Sequence, residues 1–453
     1  MSSYGVSIGT TGYGSGNGID VQSMVNEAMT NLRQPEQILQ SQQSTIETKM
    51  AAIKSFQGQL SSLETSISAL HDPLGVMSSL SATSSNTSAL TATLSAGATA
   101  GTHTISINNL ASTSSAYSAS LDSANDSIGT GDLVFTIGSG QSQTISFNSG
   151  TTLSQAADQI NKGNYGVTAS VITDATGARL TLTSKTGGSA GTIAVSSAPS
   201  NLSFTVNAGQ NASATVDGVP VSSTTNSIGG VIPGVTLNLA SATNGAQVVL
   251  TVGADTNGAS QAIQTFVTNY NNLMSSINQD FSYTGSAASA GVLSGDSSLT
   301  MIQSSLLQQM TTTLSGNSGV QSLADLGITM NDDGTLTLNQ ATLDNQISNN
   351  FSAVQSFFMN SSNTGFAQTF DSYLQTQTDP TDGALSMDYN SLQQSDNDLT
   401  QQIDDMEARI TAQQDSITSE FSTINAELQA FPTQMQQVES ELGSTSTSDK
   451  SNS

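Results

Sequence analysis

The chain has no cysteine and no tryptophan. Without thiols it has no disulfides, no thiolate nucleophile and no Cys-based metal site. Positive charge is almost missing: eight Lys and Arg stand against 34 Asp and Glu, a net charge of −26. The eight are Arg33, Lys49, Lys54, Lys162, Arg179, Lys185, Arg409 and Lys450, and they form no basic cluster. Nucleic-acid binding requires such a cluster to displace counterions, so that class is excluded. Binding to an anionic membrane surface fails on the same ground. Aromatics are 5% of the chain, so cores must be built from Val, Ile, Leu, Ala and Met. Apolar runs never reach the length of a membrane span, and no membrane insertion is expected. The start, MSSYGVSIGTTGYGSGNG, has neither a basic opening nor an apolar h-region, so no Sec-type signal is expected. Charged residues make up only 9%, and Ser, Thr, Asn, Gln and Gly take their place. That texture resembles an exported surface protein, and a signal-less export route reconciles the two observations.

What is present is periodicity. Ile403, Ile410, Ile417, Ile424, Phe431 and Val438 recur every seventh residue, with Leu399, Met406, Phe421, Leu428, Met435 and Leu442 on the second seam position. This is a heptad helix that needs a partner along one stripe, about 65 Å long if continuous. Pro432 lies inside it, where a missing donor and a ring clash lead us to expect a kink or break. A second heptad run, Leu39, Ile46, Ile53, Leu60 and Ile67, lies near the other end, joined by Phe56, Leu63 and Leu70. Before it, Val21, Met24, Val25, Ala28, Met29 and Leu32 form a short amphipathic helix that Gln34-Pro35 should end.

Between the heptads the period falls to two. Leu90 to Leu94 and Thr104 to Ile107 read as strands, as do 133–137, 144–147, 167–172, 179–183, 214–218, 235–239 and 248–252. Thr152 to Lys162 reads as a helix with Leu153, Ala156, Ala157 and Ile160 on one face. After Gly258 the helical period returns in Ile263 to Phe281, Leu299 to Leu314 and Leu343 to Phe357, with an Asp-Gly hairpin over 328–338. A looser Ser/Asn/Thr stretch then leads into the C-terminal heptads.

The fold class is therefore α+β: an antiparallel helical, coiled-coil stalk made by both termini, with β-rich head domains inserted between them. The expected division starts with a flexible N-terminal leg segment 1–36 and a stalk helix 37–75. It continues with an inner β head domain in two parts, 76–128 and 206–257, split by an outer α/β domain 129–205. A helical stalk domain with a hairpin, 258–384, a long heptad helix 385–432 and a flexible leg segment 433–453 complete it. Ile46, Ile53, Leu60 and Ile67 are expected to pack on Ile403, Ile410, Ile417 and Ile424, with Leu39 in the same core. Met24, Val25, Met29, Met435, Val438 and Leu442 lie beyond the two prolines, where no internal partner is evident. They are the candidate assembly contacts, and segments 1–36 and 433–453 are expected to order only on assembly.

Motifs for chemistry are sparse. Gly5-Val-Ser-Ile-Gly9 matches a nucleophile elbow, but that motif needs a strand before it and a helix after it. Only His71 and His103 could act as base, and both read as surface positions. Asn331-Asp-Asp-Gly334 resembles a calcium loop, yet places Thr329 and Gln340 where carboxylates are required. The acidic run Asp396, Asp398, Asp404, Asp405, Glu407 and Asp415 fits a solvated helix face. No catalytic residue, cofactor or metal ligand is assigned, and the chain is read as a non-enzyme.

Several segments resemble one family in order. Gly18-Ile-Asp-Val-Gln-Ser-Met-Val-Asn26 with Arg33-Gln-Pro35 resembles the N-terminal region of flagellar filament cap proteins, hook-associated protein 2. Ser84-Ser-Asn-Thr-Ser-Ala-Leu90 and Ala100-Gly-Thr-His-Thr-Ile105 are similar to the next segment of that family. Asp217-Gly-Val-Pro-Val221, Ile232-Pro-Gly-Val-Thr-Leu237, Asp325-Leu-Gly-Ile328 and Asp333-Gly-Thr-Leu336 resemble its C-terminal signature, and 129–196 resembles the small repeat of axial flagellar proteins. The resemblance implies a homo-oligomeric ring, a pentamer or hexamer, at the filament tip. Below it exported flagellin would fold and insert. Hook–filament junction proteins, an export chaperone and host mucin are the further partners it implies, with export by the flagellar type III route. The competing reading is a secreted adhesin, a β head on a coiled-coil stalk, which should carry a Sec signal or anchor.

Overall fold

A computed structural model describes residues 21–281, 291–317 and 319–447, with the side chains of 21–24 and 443–447 outside that description. Helix α1 (Val21–Leu32) is followed after one residue by α2 (Gln34–Ser68), and α8 (Ala384–Thr447) runs back beside them. The break at Pro35 is slight. Arg33 keeps near-helical angles, φ −83° and ψ −11°, and Pro35 sits in the first turn of α2, where its missing N–H is harmless. Gln43 Nε2 donates to Thr400 Oγ1 at 2.8 Å and Gln57 Nε2 to Ser386 Oγ at 3.2 Å. Going from 43 to 57 on one helix goes from 400 to 386 on the other, so the register is antiparallel and unbroken.

Two expectations about these helices are corrected. Pro432 does not break α8, which continues to Thr447. It removes a single ladder bond, to the Leu428 carbonyl, and the exposed surroundings leave that group to water. Segments 21–32 and 433–447, expected to order only on assembly, are helix in the single chain; residues 1–20 and 448–453 lie outside the described residues.

The body of the stalk adds α4 (Thr256–Phe281), α5 (Ser297–Met310), α6 (Gln340–Phe358) and α7 (Phe366–Thr378). Ile53, Phe56, Leu60, Leu63, Ile67 and Leu70 of the α2 end enter their shared core. Five phenylalanines meet at its centre: Phe357 stacks on Phe366 at 5.4 Å, Phe358 meets Phe357 edge-on at 5.2 Å, and Phe266 meets Phe370 edge-on at 6.1 Å. The heptad pairing expected for this region is thereby corrected. Ile53, Leu60 and Ile67 face α4 and α7 rather than Ile410, Ile417 and Ile424, because the part of α8 that reaches this core is its start, with Leu385, Tyr389 and Leu392. Helix α7 itself falls in the stretch read as loose; Phe366, Phe370 and Leu374 are its buried face.

The head holds two further cores. One lies between a five-stranded sheet and a three-stranded one. The first orders β1 (Leu80–Ser84), β15 (Val248–Ala254), β3 (Gly101–Asn109), β11 (Ala212–Val216) and β12 (Val219–Ser223). The second orders β13 (Ser227–Ile232), β14 (Val235–Leu239) and β2 (Leu90–Leu94). Asp217 (φ 50°) and Gly218 (φ 81°) form the two-residue turn between β11 and β12, where positive φ at both positions matches strand twist.

The outer core packs α3 (Leu153–Lys162) on two sheets. Their orders are β10 (Phe204–Asn207), β4 (Thr113–Ser118), β8 (Gly177–Gly187), β7 (Val167–Asp174), and β6 (Gln143–Ser146), β5 (Asp132–Ile137), β9 (Ile193–Ser197). Thr152 caps α3 with a capping box through Gln155. This core reaches beyond the expected bounds of 129–205, since Ala116 of β4 and Ile128 are fully buried in it.

Candidate assembly surfaces

The two ends of the chain meet along α8. Val25 and Met29 of α1 are 2% and 5% exposed and close on Ile410, with Leu32, Met406, Ile417 and Phe421 around them. The expectation that Val25 and Met29 lack an internal partner is therefore corrected. The antiparallel register carries α1 to the level of Ile410, and the isoleucine expected to bind the α2 stripe is taken by α1 instead. The Met24 side chain lies outside the described residues.

The rest of the C-terminal stripe behaves differently. Ile424, Leu428, Phe431, Met435, Val438 and Leu442 are 44 to 65% exposed, all on one heptad seam. Met435, Val438 and Leu442 thus stand where a docking partner can reach them. Ile424, expected in the stalk core, is exposed as well. The other stalk residues grade along the pair: Ile403 and Ile410 are buried, and Leu39, Ile46 and Ile417 are half-buried. An apolar seam so exposed forms no core within the chain.

The polar side chains are used for structure. Asp371 is buried on α7, where its Oδ2 meets His71 Nε2 at 3.0 Å and accepts from Gln375 Nε2 at 2.7 Å, tying the end of α2 to α7. Asp217 Oδ2 meets His103 Nδ1 at 2.7 Å and its Oδ1 accepts the Thr104 N–H at 2.8 Å. These bonds, the histidine first, hold the Asp217 carboxyl below its ordinary range. Glu36 is buried at the α1–α2 joint, 3.5 Å from Arg33. The 331–334 turn is a hairpin tip, with Asp333 Oδ1 accepting from Thr335. Among the described residues no group of three His, Asp or Glu could hold a metal ion. Gly5 to Gly9 lies outside the described residues. No helix among them is long and apolar enough to cross a membrane.

Three asparagines with no spacing signal serve as clamps. Asn161, Asn226 and Asn271 each bond both backbone groups of one residue, Ala169, Ala111 and Leu336 respectively. Only the tertiary fold brings these partners together, so the sequence offered no way to find them.

This arrangement has known counterparts. A profile of the flagellar hook-associated protein 2 N-terminus matches residues 17–114, and one of its C-terminus matches 209–437. The flagellin hook IN motif matches 132–186. The B-type flagellar hook-associated protein 2 of Pseudomonas aeruginosa is 33% identical over 348 residues, 69% of this chain and 72% of that one. The flagellar hook-associated protein 2 of Escherichia coli K12 is 29% identical over 354 residues, 72% of this chain and 75% of the relative. The crystal structure of the D1-D2-D3 domains of the Escherichia coli flagellar cap protein FliD superposes with a TM-score of 0.51 at 29% identity, covering 76% of this chain and 99% of that one. By sequence and by fold, the chain belongs to the flagellar hook-associated protein 2 family.

Proposed function

We propose that the chain caps the distal end of a bacterial flagellar filament, where exported flagellin folds and inserts as the filament grows. The observation that carries this reading is the exposed seam from Ile424 to Leu442 on α8. Capping on this reading is a packing activity, not an enzymatic one. Its working residues are apolar positions on the protruding helix, with Met435, Val438 and Leu442 as filament contacts. The β-rich head forms the plate of a homo-oligomeric ring, and α1, α2 and α8 form the leg of each subunit. The domain division follows the three cores: the stalk body, the inner head and an outer head inserted into it. The chain leaves the cell by the flagellar type III route. Hook–filament junction proteins and an export chaperone are its other partners, and host mucin a ligand of the head. Electron microscopy of filament tips from a strain lacking the gene tests the reading. Uncapped tips with flagellin lost to the medium are expected, and normal capped filaments overturn it.

A further inference from the structure

The sequence Thr-Asn-Gly-Ala occurs twice, at residues 243–246 and 256–259, and the fold treats the two copies differently. The Asn-Gly pair matters chemically because a glycine after asparagine carries no side chain to keep its nitrogen from the asparagine Cγ. Both asparagines are exposed. In the second copy the glycine nitrogen is occupied: the Gly258 N–H donates to Asp255 Oδ1 at 3.0 Å, in the first turn of α4. The next residue, Ala259, is fully buried and its N–H donates to the Asp255 carbonyl at 3.0 Å, so the helix holds the backbone there.

The first copy has none of these restraints. It is a turn between β14 and β15, with Asn244 at φ 50° and Gly245 at φ 86°. Asn244, Gly245 and Ala246 are all exposed, and a Cβ built on Gly245 meets nothing within 4 Å. One backbone bond closes the turn, from the Ala246 N–H to the Thr243 carbonyl at 3.0 Å. Neither the Gly245 N–H nor the Asn244 side chain has a hydrogen-bond partner among the described residues. Opening a surface turn held by a single bond takes little free energy, and rotation about the Asn244 Cα–C bond then brings the Gly245 nitrogen to Cγ. We infer that Asn244 is a site of spontaneous deamidation. The Gly245 nitrogen bonds to Asn244 Cγ and gives up its proton, and Nδ2 leaves as ammonia, closing a cyclic imide. One water then opens the ring at either carbonyl, leaving aspartate or isoaspartate. Either product adds a negative charge to the inner head. The isoaspartyl form also lengthens the main chain by one methylene next to Thr243, whose Oγ1 accepts the Ile107 N–H of β3 at 3.0 Å.

The test ages the full chain in mildly alkaline buffer and follows both copies by peptide mass spectrometry, with and without denaturant. In the folded chain Asn244 should convert at least tenfold faster than Asn257, with aspartate and isoaspartate both formed. In denaturant the two rates should converge, since their immediate neighbours in sequence are the same. Gly245→Ala, which sets a methyl group beside the attacking nitrogen, should slow conversion at 244 several-fold and leave 257 unchanged. Equal rates at the two positions in the folded chain, or an Asn244 that stays intact, overturn the assignment. A difference that survives in denaturant also overturns it, because its cause would then not be the fold.

Discussion

Asn226 grips Ala111 by both backbone groups: the Ala111 N–H donates to Asn226 Oδ1 at 2.6 Å, and Asn226 Nδ2 donates back to the Ala111 carbonyl at 3.1 Å. Ala111 lies between β3 of the inner head and β4 of the outer one, so the clamp fixes the crossing of the chain from one core to the other. Asn226→Asp keeps the acceptor but sets a carboxylate against the carbonyl. A loss of about 1–3 kcal/mol is expected, read by denaturant melts. An unchanged midpoint would show the clamp to be incidental.

Val25 and Val438 belong to equally apolar faces but differ in cover. Burial of Val25 against Ile410 is worth roughly 1.5–3 kcal/mol, so Val25→Asp should free α1 and lower Tm. Hydrogen exchange on the variant should show protection lost over 25–32 while the head keeps its own. Retained protection there contradicts the α1–α8 contact.

Tyr270 is fully buried in the stalk core and its hydroxyl has no hydrogen-bond partner among the described residues. Burial also pushes its ionisation well above the ordinary tyrosine value. Removing the hydroxyl relieves an unpaired buried group, so Tyr270→Phe should be neutral or stabilising by about 1 kcal/mol. A destabilised Phe variant would reveal a partner for the hydroxyl.

Asp217 gives the head a pH dependence with a definite sign. Its folded pKa lies below the unfolded value of about 3.9, through His103 first and then the Thr104 N–H. The stabilisation is therefore present above about pH 3.9 and lost as pH falls through the lower folded value. Asp217→Asn keeps a residue that tolerates positive φ but removes this titration. The acid limb of its stability curve, followed by fluorescence or circular dichroism between about pH 5 and 2, should be flatter than that of the wild type. A superimposable limb would contradict the assignment.

The plan of the fold is legible in the sequence because period is a local property. Period two in Leu133 to Ile137 and Thr144 to Phe147 corresponds to the observed pairing of Leu133 with Ile145. The face Leu153, Ala156, Ala157 and Ile160 is the buried face of α3. Pairing between distant segments was not legible. A heptad stripe announces that it needs a partner without naming one, so Ile410 finds Val25 and Met29, and Ile53 finds the stalk core. Helix α7 is hidden by its polar neighbours, since Phe366, Phe370 and Leu374 mark little more than two turns. Of the six candidate assembly residues, Met435, Val438 and Leu442 are exposed, while Val25 and Met29 are covered by a contact that depends on the register of two remote helices.

The exposed seam of α8 is the centre of the functional account, and Val438→Asp tests it most directly. In a strain lacking its own copy, the variant should fail to restore filaments, and flagellin should accumulate in the medium. The purified variant should melt within about a degree of wild type, as a substitution at an exposed site does. Filaments of normal length on cells carrying Val438→Asp would contradict the account.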